Sequence, residues 1–269
     1  MPRVRVGDVD LYYREAGSGA PLLLVHGLGG SSLDWEHQLA YFAARYRVLA
    51  PDLRGFGDSA RGRGALSVRA HVADIAGFLD AMKVTRCRLI GHSMGGAVAQ
   101  QFALEQPQRV ERMVIANSVP SFRPRSPRHH LEFLYRLVVM AVLGPARLAE
   151  IGARRSFPDP AQAAQRARAV ARGARNSRRN YLAALQALST WSVIERLDEL
   201  QMPVLVAASE HDYFGHDETV MFAHALPRAR LHLFKGAHHG LPGEQPAAFN
   251  AVVERFFDAP PPARRKATA

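Results

Sequence analysis

The chain has 269 residues, 48% of them apolar, and a formal net charge of +11, enough length to bury a large core in one α/β domain that carries an insertion. No run approaches the roughly eighteen apolar residues of a membrane-spanning helix, and the first residues carry no apolar signal region. The single cysteine, Cys87, excludes an internal disulfide and a thiolate metal site, so a soluble, cytoplasmic protein is expected.

Met1 to Val6 alternates polar and apolar residues like a strand. Leu22-Leu23-Leu24-Val25 is short, continuous and apolar, as a buried parallel strand should be, and runs into the glycine-rich His26-Gly27-Leu28-Gly29-Gly30. Arg47-Val48-Leu49-Ala50 leads likewise into Asp52-Leu53-Arg54-Gly55-Phe56-Gly57-Asp58-Ser59. Its glycines permit sharp turns, and Asp52 and Arg54 are placed to form an ion pair that pins the loop. The loop lacks the GxGxxG or GxxxxGK(S/T) spacing that cradles phosphates, so no nucleotide cofactor is implied. No His-x-x-x-His motif with a partner Glu lies on a plausible helix, and no metal is expected.

Gly91-His92-Ser93-Met94-Gly95 follows the strand-like run Cys87 to Ile90 and opens a helix-like run from Ala97 to Leu104. That setting makes Ser93 the apex of a nucleophile elbow, where a sharp strand-to-helix turn projects the hydroxyl from the sheet edge. A serine hydroxyl needs a base to take its proton and a carboxylate to orient that base. The next strand, Met113 to Ala116, ends in Asn117-Ser118 without a carboxylate.

From about residue 121 to 191 strand character is lost. Helical segments are expected around 127–143, 145–155, 160–173 and 177–190, broken by Gly144-Pro145, Pro158-Asp159-Pro160 and Asn176. The first, with Leu131, Phe133, Leu134, Leu137 and Val138, has apolar surface enough to pack on the core and line a cavity. His92, Phe122, Phe133 and Trp191 are the pocket candidates; an aromatic of this kind is more often simply a core residue. Residues 121–180 hold thirteen arginines against Glu132, Glu150 and Asp159, a net of +10, so nearly all of the excess charge lies here. An anionic substrate or an acidic carrier protein would be attracted to such a segment, and a solvated surface is the plain alternative. Interleaved aromatics are missing, and nucleic acid is not expected as a partner.

Strand character returns at Pro203 to Ala208, with Ser209-Glu210-His211-Asp212 at its carboxyl end, where sites form in open α/β sheets. Asp212 is the candidate acid, although taken alone it also suits a loop or cap. Leu231 to Phe234 is the last strand, followed by Gly236-Ala237-His238-His239-Gly240, in which either histidine can be the base. The tail from Ala259 to Ala269 has little to bury and reads as disordered.

Taken together, these motifs resemble the α/β-hydrolase superfamily over nearly the whole chain apart from the middle insertion and the tail. The resemblance implies a mostly parallel, doubly wound α/β sheet formed by residues 1–120 and 192–258, with 121–191 as an inserted helical cap over the nucleophile. It implies His239 as the base, because Glu244-Gln245-Pro246 falls at the family's spacing from it. By analogy, the backbone N–H groups of Leu28 and Met94 form the oxyanion hole. The implied activity is cofactor-free hydrolysis of a small-molecule carboxylic ester through an acyl-enzyme, with Ser93, Asp212 and His239 as the triad. Lactones, thioesters, carbon–carbon bonds of ring-cleavage products and perhydrolysis use the same triad, and some members of this fold only bind ligands.

Overall fold

The computed structural model describes residues 2–264. Eight strands, β1 (Arg3–Val6), β2 (Val9–Ala16), β3 (Ala20–Val25), β4 (Tyr46–Pro51), β5 (Cys87–His92), β6 (Val110–Ala116), β7 (Val204–Ser209) and β8 (Ala229–Phe234), form one sheet in the spatial order β1-β2-β4-β3-β5-β6-β7-β8. The first two pairings are antiparallel and the remaining five parallel. The apolar runs of β3, β5 and β7 are continuous because both of their faces are covered. Leu22 and Leu24 point into one core layer with Trp35, Phe42, Val48, Ile90, Val114 and Phe249, whereas Leu23 and Val25 point into the other with Leu49, Phe78, Phe102 and Val206. The first layer lies under α1 (Glu36–Phe42) and α9 (Pro246–Asp258), and the second under α2 (Val68–Ala81), α3 (Met94–Glu105) and α8 (His216–Ala225). Helices on both faces of a parallel sheet make the expected doubly wound fold. Cys87 is a core residue of β5, and burial pushes its thiol up to about 12.

Between β6 and β7 the chain forms α4 (Pro127–Val142), α5 (Gly144–Ser156), α6 (Ala163–Ala174) and α7 (Arg178–Leu188). Ser126 caps α4 by accepting from His129 N, with Pro127 at the first helical position. Gly144, at φ 81°, turns α4 into α5. A separate small core joins Val139, Met140, Leu148, Tyr181 and Leu185, with Phe133 packed against it. The expected apolar face of α4 is only partly used. Phe133 turns inward, but Leu131, Leu134, Leu137 and Val138 remain 68, 54, 37 and 46% exposed, because the helix packs on α5 and α7 through Val139 and Met140 instead.

The insertion is tied to the sheet by polar contacts. Arg172 pairs with Asp34 at 2.9 Å, Arg175 with Asp58 at 2.6 Å and Arg168 with Glu36 at 3.3 Å. Asn176 and Asn180 donate to the carbonyls of Gly29 and Gly55 at 2.7 and 3.0 Å. The expected Asp52–Arg54 pair does not form. Asp52 spends its oxygens on the backbone N–H groups of Ser32 (2.6 Å), after the β3 loop, and of Asp58 (2.8 Å) in its own loop. The Arg54 fork turns instead onto Asp74 of α2, with two bonds of 2.5 Å, and onto Asp8 at 3.2 Å. No helix among the described residues is long and apolar enough to cross a membrane. Of the expected disordered tail, residues 259–264 have no helix or strand, and Arg265 to Ala269 lie outside the described residues.

His71 on α2 is buried with no hydrogen-bond partner on either ring nitrogen, and desolvation, with His26 and Arg54 nearby, pushes it down to about 3. The unfolded chain binds a proton here below its ordinary value near 6.5 while the folded protein does not, so this group's linkage destabilises the fold as pH falls from about 6.5 to about 3. A thermal-unfolding series from pH 7 to pH 4 should show a falling midpoint, and His71→Leu should flatten that slope by up to about 1.4 kcal/mol per pH unit. An unchanged slope would refute the assignment.

Candidate active site

Ser93 sits between β5 and α3 at φ 52°, ψ −119°, a conformation that costs a non-glycine residue about 1–3 kcal/mol. Its surroundings hold it there. Ser93 N donates to Ala116 O at 3.0 Å, and Ser118 Oγ donates to Ser93 O at 2.7 Å. The flanking glycines are required by space: a Cβ on Gly91 would lie 2.3 Å from Gly95 O, and one on Gly95 would lie 2.1 Å from Val25 O. Ser93 lines a cavity of about 1090 Å³ between the sheet's carboxyl ends and the helices of the insertion.

The carboxyl ends of β7 and β8 bring the other two candidates together. His239 Nδ1 donates to Asp212 Oδ1 at 2.9 Å, with the carboxylate 4% and the imidazole 15% exposed. The two loops are laced by His211 N to Ala237 O (2.9 Å) and Glu210 N to Phe234 O (3.1 Å). Asn117, at the end of β6 with φ 44°, donates to the carbonyls of His238 and His239, both at 3.0 Å. His238 faces away from Asp212: its backbone N–H and Nδ1 bond the two oxygens of Glu244 at 2.6 and 2.7 Å. Glu244, whose spacing selected His239, is thus the partner of its neighbour.

The loop after β3 runs against the elbow, since a Cβ on Gly27 would lie 3.2 Å from Ser93 Cβ. Leu28 lines the cavity, and Met94, as the first residue of α3, has an N–H without an intrahelical acceptor. His26 ties this loop to the next one: its Nε2 accepts from Leu53 N at 2.9 Å, leaving Nδ1–H to donate to Gly27 O at 2.8 Å. His92 also lines the cavity, and its Nε2–H donates to His239 O at 2.8 Å. Burial, reinforced by His239, pushes His92 down to about 4, so it is a neutral neighbour of the base.

Phe122 and Phe133 line the cavity. Trp191 does not. The Ser121–Ser192 bridge draws its segment toward the core, where its Nε1 donates to Gln101 Oε1 at 3.0 Å.

Two residues that sequence reasoning missed line the cavity beside the base. Tyr213 Oη lies 2.5 Å from His239 Nε2, with its ring 4.1 Å from the imidazole and its hydroxyl within hydrogen-bonding reach of Ser93. Desolvation raises its pKa, which keeps it a neutral phenol and so a donor to the imidazole. Arg136 of α4 stacks over the Tyr213 ring, its guanidinium carbon 4.8 Å from the centroid. Tyr213 was adjacent to the chosen acid but carried no motif, and Arg136 was one arginine among thirteen.

The chain is similar to several known proteins. A putative carbamate hydrolase RutD from Caulobacter sp. (strain K31) is 32% identical, covering 93% of this chain and 97% of the relative. The 2-hydroxy-6-oxo-6-phenylhexa-2,4-dienoate hydrolase of Comamonas testosteroni is 28% identical over 94% of this chain and 92% of its own. The crystal structure of the enol-lactonase from Burkholderia xenovorans LB400 shares the fold with a TM-score of 0.88 at 24% identity, covering 96% of this chain and all of that one. The family model described as the alpha/beta hydrolase fold matches residues 20–246, and the chain belongs to that family.

Proposed function

We propose that Ser93, His239 and Asp212 hydrolyse a carboxylic ester through an acyl-enzyme. The observation that carries this reading is the strained Ser93 facing the cavity beside an imidazole whose Nδ1–H is fixed on a buried carboxylate. That bond selects the tautomer with a lone pair on Nε2, the form that can accept the serine proton. Ser93 Oγ attacks the acyl carbon while its proton passes to Nε2, and Asp212 stabilises the imidazolium. The Leu28 and Met94 N–H groups receive the oxyanion, a contribution of about 3 kcal/mol per donor in known hydrolases. His239 then returns the proton to the departing alcohol. Water repeats the sequence on the acyl-enzyme, His239 acting as base and Ser93 as leaving group. The atoms balance with no cofactor.

The relatives' names denote a carbamate and a dienoate, and the same steps would act on a carbamate or a lactone carbonyl. A panel of p-nitrophenyl esters of increasing chain length, extended by a lactone and a ring-cleavage dienoate, ranks these acyl groups by kcat/KM.

Ser93→Ala should lower ester turnover by at least about a thousandfold and abolish labelling by a fluorophosphonate probe, and Asp212→Asn should lower kcat by on the order of 10⁴. Residual activity of Ser93→Ala within about tenfold of wild type would overturn the nucleophile assignment. His239→Ala should be nearly inactive and unlabelled, whereas His238→Ala should keep measurable turnover.

The pH profile tests the base separately. The kcat/KM should rise with pH through one transition, because only neutral His239 can accept the serine proton. His92, held down at about 4, should add no second limb above about pH 5. Two rising limbs in that range would contradict this division of roles.

A further inference from the structure

Arg136 is an expensive residue to place beside the reacting centre, since a desolvated guanidinium needs matching negative charge. The Tyr181 side chain is one of its partners, and its carboxylate partner is shared. Arg136 Nε pairs with Glu132 Oε1 at 2.9 Å, but Glu132 also receives Arg155 at 3.2 Å, so one carboxylate serves two cations. The other cavity-wall acids are engaged elsewhere: Asp34 with Arg172, Asp212 with His239, and Glu218 facing His129 at 3.9 Å. Arg128 and Arg154 also line the wall without a carboxylate partner among the described residues. The cavity therefore carries surplus positive charge, and 24% of the Arg136 side chain remains accessible there.

Tyr213 connects this charge to the base. His239 Nε2 has one in-plane lone pair, and Tyr213 Oη occupies it at 2.5 Å. The same lone pair must take the Ser93 proton, so the two bonds exclude each other. Turnover requires the phenol to leave, and once displaced its hydroxyl needs another acceptor. Its ring lies under the Arg136 guanidinium, so an anion seated on Arg136 is within a short swing of that hydroxyl.

We propose that Arg136 and Tyr213 form a carboxylate-binding subsite for the non-reacting end of the substrate, selecting acyl groups that carry a carboxylate a few carbons from the scissile carbonyl. The Arg136 guanidinium holds the anion by charge-assisted hydrogen bonds, and the Tyr213 hydroxyl transfers from His239 to the anion, freeing Nε2 for Ser93. This deepens the ester-hydrolase reading and rests on it for the reacting end, while the subsite itself is measurable without turnover.

The test compares mono-p-nitrophenyl glutarate with p-nitrophenyl pentanoate, which have equal numbers of acyl carbons. Wild type should prefer the glutarate by about tenfold to a hundredfold in kcat/KM, the range of one or two charge-assisted bonds. Arg136→Gln should collapse that ratio toward one, chiefly through the glutarate KM, and Arg136→Lys should keep part of it. Tyr213→Phe should narrow the ratio from the other side, by speeding the pentanoate and fluorophosphonate labelling of Ser93. Equal kcat/KM for the two esters in wild type, or an Arg136→Gln enzyme that slows both and keeps their ratio, would overturn the subsite. Calorimetry of free glutarate on Ser93→Ala protein, with and without Arg136→Gln, separates the two readings. Glutarate affinity lost with Arg136 supports the subsite even if no ester is turned over and no probe labels Ser93, a result that sinks only the hydrolytic reading. Glutarate affinity indifferent to Arg136 sinks the subsite alone.

Discussion

Everything at the site depends on how closely the backbones of β3, β5 and α3 approach one another. The hypothetical side-chain carbons at Gly91 and Gly95 would fall well inside non-bonded contact distance of neighbouring carbonyl carbons and oxygens. This contact lets α3 start directly behind the strand and forces Ser93 into a left-handed conformation that its hydrogen bonds to Ala116 and Ser118 then hold. A small shift in that packing would move Ser93 Oγ, the loop at Leu28 and the first N–H of α3 together, because they are parts of one junction. Positional precision here comes from main-chain packing, which is stiffer than any side-chain contact.

The opposite wall is assembled from polar groups. Asn117 occupies the end of β6, the position where a second carboxylate would have competed for the histidine, and spends its amide on the carbonyls of the histidine loop. An amide there orients the loop without adding negative charge beside Asp212. His92 plays a similar part from the elbow side, holding the His239 carbonyl through a ring that burial keeps neutral. A second imidazolium in that place would have opposed protonation of the base.

What could be read from the residues followed from periodicity and glycine. Continuous apolar runs marked β3 to β8, with ends moved by a residue or a few, and the spacing around Ser93 marked the elbow. Pairwise choices among polar side chains were less legible, because sequence distance says little about which way a side chain turns. Proximity along the chain pairs Asp52 with Arg54, yet Asp52 bonds backbone N–H groups of its own loop and of Ser32, and Arg54 reaches α2. Trp191 and Phe122 met as a contacting pair, but only Phe122 reaches the cavity. Tyr213 was invisible for the same reason: its role is set by the rotation that lays it across His239, not by its neighbours in the chain.

The arginine excess of the insertion divides by what each guanidinium touches. Arg168, Arg172 and Arg175 tether the helices to acids of the core loops, and Arg147 pairs within its own helix with Glu150. Most of these pairs are well exposed and contribute at most about 1 kcal/mol each, so they position the insertion more than they stabilise it. Arg136 differs by its place against Tyr213. The bond between Tyr213 and His239 joins two neutral groups and is worth about 1 kcal/mol net, whereas a bond from the same phenol to a carboxylate is worth about 1.5–3. That difference amounts to several-fold in the population of free base, too little to shut out neutral esters by itself. Strong discrimination must therefore come from the guanidinium, with the tyrosine converting occupancy of the subsite into an available lone pair on His239.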